Sequence, residues 1–146
     1  MPWAYRSHEK LSVNMTMSSE SEAEERYTRG RQLLARLSGR IGEEGVDGLG
    51  DLGRYVVEFV LGDVFSRPGL SLRDRELITV AMLAALGRYE PQLDLHMRGA
   101  LNVGVTADEL REVIIHASPY AGFPAAITAM RRLQALESSL TESAST

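Results

Sequence analysis

The segment Leu77-Ile-Thr-Val-Ala-Met-Leu-Ala-Ala-Leu86 gives a helix no polar side to turn toward water. A helix apolar nearly all round belongs at the centre of a bundle or in an interface between subunits. This one therefore needs other helices around it, and the flanking sequence supplies them. Ser71-Leu-Arg-Asp74 is a capping pattern that opens it, and Gly87 closes it, so a helix is predicted over 71–87. Before it, Leu52, Tyr55, Val56, Phe59, Val60 and Val64 recur at three and four residues and predict a helix over 51–64. Phe65-Ser-Arg67-Pro68-Gly69 is the turn between the two.

The remaining helices have equally local signals. Acidic residues Glu20, Glu22, Glu24 and Glu25 suit the positive end of a helix over 20–38, followed by a glycine-rich loop from Gly39 to Gly50. Pro91 suits the first turn of a helix over 90–103 that stops near Gly104. Thr106-Ala-Asp-Glu109 is a capping box for a helix over 107–118. Pro119-Tyr120-Ala-Gly122-Phe123-Pro124 predicts a tight loop, and Pro124 opens the last helix, 124–138. No segment alternates with period two. The expected fold is all-α: six helices in one domain over 19–138, between a flexible leader at 1–18 and a flexible Ser/Thr/Glu-rich tail at 139–146.

Composition removes several classes of function. The net charge of −4 offers no electrostatic footprint for nucleic acid. The absence of cysteine removes disulfides, thiolate metal sites and thiol nucleophiles together. No apolar run reaches membrane-spanning length, and the opening residues lack the apolar stretch of a secretory signal, so a cytoplasmic protein is expected.

Against that background His96 stands out. It sits in Gln92-Leu-Asp-Leu-His96-Met-Arg98-Gly-Ala-Leu101, a helix dense in apolar residues. An imidazole there is either a core histidine bonded to a backbone carbonyl or a group kept for proton transfer, because its pKa lies near working pH. Gln92 lies four residues earlier on the same helical face, where it orients the ring or is a plain exposed polar residue. Glu76 reads as a solvated acid near a helix N-terminus. Arg98 pairs with Asp94 at i,i+4, or contacts an anion across a subunit interface. Arg67 supports its turn, or holds a substrate carboxylate with its planar fork. His116, near a helix C-terminus, is a cap or a supporting residue of a pocket, and Tyr120 and Tyr89 are packing residues or pocket walls. Two histidines without a carboxylate pairing make a weak ligand set, so no metal is expected.

The stretches Arg67-Pro-Gly-Leu-Ser-Leu-Arg-Asp-Arg-Glu76-Leu-Ile-Thr-Val-Ala-Met, His96-Met-Arg-Gly-Ala-Leu-Asn-Val-Gly-Val-Thr-Ala-Asp-Glu and Pro119-Tyr-Ala-Gly-Phe-Pro-Ala-Ala resemble the carboxymuconolactone decarboxylase family over residues 24–137. That resemblance implies an all-helical fold, assembly as a homotrimer or homohexamer, no cofactor, and decarboxylation of a small unsaturated carboxy-lactone such as γ-carboxymuconolactone. A sister branch, similar to alkylhydroperoxidase D, carries Cys-x-x-Cys-x-x-x-His. Here those positions are Tyr89, Gln92 and His96, so the histidine is kept and thiol peroxidase chemistry is excluded. The same branch uses a glutamate near position 76, which implies a proton relay from Glu76 to His96.

The chemistry implied needs no metal. Electrons left by departing CO₂ flow through the double bond to the lactone carbonyl. The protein must hold an anionic group, stabilise the dienolate oxygen and protonate carbon. His96, Glu76 and Gln92 are the catalytic candidates, and Arg67, Arg98, Tyr120 and His116 the substrate-binding candidates. The decarboxylases of this family often carry a glutamate near position 92. Its absence here leaves room for a different enolising step on the same scaffold, namely isomerisation, ring closure or dehydration. A non-enzymatic oligomeric helical module is the third reading.

Overall fold

The computed structural model describes residues 5–145, with side chains described from residue 19 onward. The leader expected at 1–18 lies outside the residues whose side chains are described. Six helices follow one another: α1 (Tyr5–Asp47), interrupted at Gly39; α2, α-helical over Asp51–Tyr55 and π-helical over Val56–Phe65; α3 (Leu72–Leu86); α4 (Glu90–Asn102); α5 (Ala107–Ala121); and α6 (Phe123–Ala144). The described residues contain no strand. No helix among them is long and apolar enough to cross a membrane.

Gly39 takes φ 52° and ψ −148°, a conformation open to glycine and closed to residues with a Cβ. The chain reverses there. Arg31 accordingly meets Glu43 at 3.7 Å and Asp47 at 2.5 Å, contacts that a straight helix would forbid. Residues 40–47, expected as loop, are helical, and only residues 48–50 form the turn into α2. Local propensity disfavours the glycines in this stretch, but Val46 packs on the apolar cluster of α1 and α2, and tertiary contact decides.

α2 then runs antiparallel to the first part of α1, with backbone nearly touching backbone at Gly30 against Val57 and Gly62 against Arg26. The Gly62 carbonyl accepts hydrogen bonds from Arg29 Nε at 2.7 Å and from Ser66 Oγ at 2.5 Å, which satisfies a carbonyl near the helix end. Leu34, Leu37, Val57 and Leu61 are the buried centre of this pair.

A larger core joins α3 to α6 through Val80, Ala84, Leu93, Met97, Ala100, Leu110, Ile114, Ala129 and Leu133. The two predicted caps are present. Ser71 Oγ accepts from the Asp74 backbone N–H, and Thr106 and Glu109 form the reciprocal box. The Thr106 backbone N–H and then Arg73 hold the Glu109 carboxyl below the usual carboxylate range. The all-apolar α3 resolves into two sides. Val80 and Ala84 are buried, whereas Ile78, Met82 and Leu86 are about half exposed.

α5 continues through Pro119 to Ala121, where a loop was expected. A proline inside a helix leaves the carbonyl four residues back without its amide partner. Here that carbonyl, on Ile115, accepts instead from Ser118 Oγ at 2.8 Å. Gly122, with φ 88°, makes the corner alone. α6 runs on past residue 138 to Ala144, and the hydroxyls of Ser138, Thr141 and Ser143 bond back to carbonyls one turn earlier.

Candidate active site

On α3, Glu76, Val80 and Ala84 occupy one i,i+4 row, and all are buried. Glu76 is thus carried into the core rather than left at the surface: it is 1% exposed and is the buried charged residue among the described side chains. The reading of Glu76 as a solvated acid is corrected by that burial. On α4, Leu93, Met97 and Ala100 face inward and His96 sits at the edge of that face. His96 Nδ1 lies 3.0 Å from Glu76 Oε2. The ring side chain is 31% exposed, so the pair runs from the core to the surface.

A carboxylate oxygen can only accept, so with Glu76 ionised Nδ1 carries the proton and donates it to Oε2. Nε2 is left as the ring nitrogen not engaged by Glu76. Glu76 Oε1 is buried and has no hydrogen-bond partner among the described residues. A charge held out of water with one oxygen unmatched is costly, and such strain concentrates at sites kept for chemistry. The space for the carboxylate comes from Gly99, one turn after His96. A Cβ added there would lie 3.2 Å from Glu76 Oε2 and 3.5 Å from the Leu37 carbonyl. Gly99→Ala should therefore shift Glu76 against His96 by a few tenths of an ångström. Steady-state kinetics are expected to show a roughly tenfold loss in kcat with helix content unchanged, since small misplacements of reacting groups are expensive; wild-type kcat would mean that the contact tolerates displacement.

The other candidates lie elsewhere. Gln92 is exposed in the first turn of α4. Arg67 is exposed in the α2–α3 turn, where its carbonyl accepts from Arg75 at 3.0 Å. Arg98 does not pair with Asp94, which corrects the i,i+4 expectation. Arg132 of α6 takes Asp94 with both arms of its fork, Nε at 2.8 Å from Oδ1 and Nη2 on Oδ2. Arg98 reaches Ser139 Oγ at 3.4 Å instead. His116 and Tyr120, with ring centroids 5.7 Å apart, line an open groove of about 600 Å³ between α3 and α5, together with Met82, Ala85 and Val113. His96 is not among its walls. Of the residues singled out from sequence, Glu76 is brought against His96, and His116 against Tyr120 in a separate place. The sequence reading missed Gly99, whose only local signal is a glycine inside a helix otherwise free of breakers.

The model of the carboxymuconolactone decarboxylase family matches residues 50–135, which include both Glu76 and His96. The chain belongs to the carboxymuconolactone decarboxylase family. It is 41% identical over 112 residues to the 4-carboxymuconolactone decarboxylase of Acinetobacter baylyi, covering 73% of this chain and 83% of that one. It is also 41% identical over 75 residues to a nitrosuccinic acid decarboxylase of Metarhizium robertsii, covering 51% of this chain and 52% of the relative. Both relatives are named as decarboxylases.

Proposed function

We propose that this protein is a cofactor-independent decarboxylase of a small unsaturated carboxy-lactone such as γ-carboxymuconolactone, with His96 as the proton donor and Glu76 as the group that holds it in place. The observation that carries this reading is the 3.0 Å contact between His96 Nδ1 and a carboxylate that is almost wholly buried. In the step proposed, the bond from the ring carbon to the carboxylate breaks and CO₂ departs. The electron pair of that bond enters the conjugated double bond and moves onto the lactone carbonyl oxygen. Imidazolium Nε2–H then protonates carbon, and the neutral ring regains a proton from solvent while Nδ1–H stays on Glu76. Burial of Glu76 keeps the ring in one orientation during that cycle.

The relative named for nitrosuccinic acid supports decarboxylation as the common step and makes that acid the natural second substrate to test. The half-exposed apolar side chains of α3, together with exposed Ile115, Tyr120, Phe123 and Ile127, support assembly as a homotrimer or homohexamer. The test is direct: incubate the protein with γ-carboxymuconolactone, and separately with nitrosuccinate, and measure CO₂. Catalytic release from the lactone is expected. Release from nitrosuccinate alone would keep the decarboxylase and replace its substrate; isomerised or cyclised product without CO₂ would move the site to a different enolising reaction.

A further inference from the structure

A second cavity lies on a different side of α4 from the His96–Glu76 pair. It has a volume of about 170 Å³ and is lined by Ser38 and Ile41 of α1, Leu95, Arg98, Leu101 and Asn102 of α4, and Leu140 of α6. Its shape follows from the chain reversal at Gly39, because Ser38 and Ile41 flank that residue and form one wall. Leu95, Arg98 and Leu101–Asn102 are one stripe of α4 at helical spacing. Arg98 is two positions from His96 and so projects roughly to the opposite side of the helix.

The chemistry of the walls is specific. Four aliphatic side chains, Ile41, Leu95, Leu101 and Leu140, surround a single guanidinium, with the Ser38 hydroxyl and the Asn102 amide beside it. Of the partly buried arginines, Arg26, Arg31, Arg73, Arg111 and Arg132 each pair with a carboxylate, and Arg75 donates to the Arg67 carbonyl. Arg98, equally part-buried, forms no ion pair among the described residues and has only a 3.4 Å contact to Ser139 Oγ. A planar fork of donors without an acid, facing a greasy recess, matches a ligand with a carboxylate head and a short apolar tail. A water occupies about 30 Å³ in the liquid, so the recess holds several waters' worth of ligand and no more.

We propose that this cavity is a binding site for a short-chain aliphatic carboxylate, separate from the reaction centre, with Arg98 clamping the head and Ile41, Leu95, Leu101 and Leu140 holding the tail. The proposal does not depend on which acid the His96 site decarboxylates.

The test titrates the full chain with hexanoate, hexan-1-ol and inorganic phosphate, followed by calorimetry and by amide shifts in two-dimensional NMR. Saturable hexanoate binding is expected, with shifts at Ser38, Ile41, Leu95, Asn102 and Leu140, and at least tenfold weaker binding of the uncharged alcohol and of tail-less phosphate. Arg98→Met should weaken hexanoate at least tenfold, Arg98→Lys should restore part of it, and Leu140→Trp should fill the recess and abolish binding while the arginine remains. His96→Ala should bind hexanoate as wild type does. Absence of saturable binding, equal binding in Arg98→Met, or loss in His96→Ala with retention in Leu140→Trp would each overturn the proposal. The last outcome would place the carboxylate at the reaction centre.

Discussion

His96→Ala is expected to lower turnover by roughly 10²–10⁴-fold, the range for loss of a positioned general acid, while circular dichroism shows wild-type helix content. The second half of that expectation comes from exposure. The ring is 31% exposed and lies at the edge of the buried face of α4, so its removal opens a path for water rather than a sealed void. Water entering there can bond to Glu76 Oε2, which otherwise would lose its partner in the core. Glu76→Gln tests the other member of the pair at nearly constant volume. It should lower kcat more than it raises KM, because Glu76 reaches substrate only through the ring. The double variant should be no slower than His96→Ala alone, since groups that act as one unit lose their joint contribution once. Independent, additive losses would mean that Glu76 and His96 do not work through their contact. Collapse of helix content in His96→Ala would assign the imidazole to the fold.

The features legible in the sequence are those decided within one turn of chain. Ser71 with Asp74 and Thr106 with Glu109 announce their caps because capping uses neighbours three residues apart. The three- and four-residue apolar spacing of α2 likewise places its helix at 51–64, against 51–65 in the structure. What escaped the sequence depends on partners far along the chain. Asp94 has Arg98 four residues away, but Arg132 of α6 approaches with both arms of its fork, and a two-point contact outcompetes a one-turn neighbour. Residues 40–47 look like loop because of their glycines, yet Arg31 and the α1–α2 core hold them helical. Pro119 looks like a helix stop, and Ser118 removes the need to stop. For the site, His96 could be picked out as an imidazole in an apolar helix. The depth of Glu76 could not, because a position in the second turn of a helix is compatible with water or core until the packing partner, here Gly99 on α4, is known.

Gly30→Ala should destabilise the protein by about 3 kcal/mol, and two opposing effects decide the sign. Alanine in a helix interior gains about 1 kcal/mol over glycine. Against that, a Cβ at position 30 would lie 2.0 Å from the Val57 carbonyl oxygen and 2.9 Å from its carbon and Cγ1. Overpacking costs about 1–3 kcal/mol when flexible side chains yield. Here the obstacle is backbone inside the π-helical run, so α1 and α2 must separate by about an ångström to restore ordinary contact distances. Separation loosens Leu34, Leu37, Val57 and Leu61 together, and the loss exceeds the helix-forming gain. At about 2–4 °C per kcal/mol for a chain of this size, thermal unfolding should fall by roughly 10 °C. Gly45→Ala is the matched control: its added Cβ meets nothing within 4 Å, so only the helical gain remains and stability should hold or rise slightly. Equal melting temperatures for the two variants would mean that the two backbones are not in contact at Gly30. A selective fall for Gly30→Ala would establish that glycine, rather than the apolar spacing of either helix, sets how closely α1 and α2 approach, and hence where Leu37 stands against Gly99 beneath the Glu76 carboxylate.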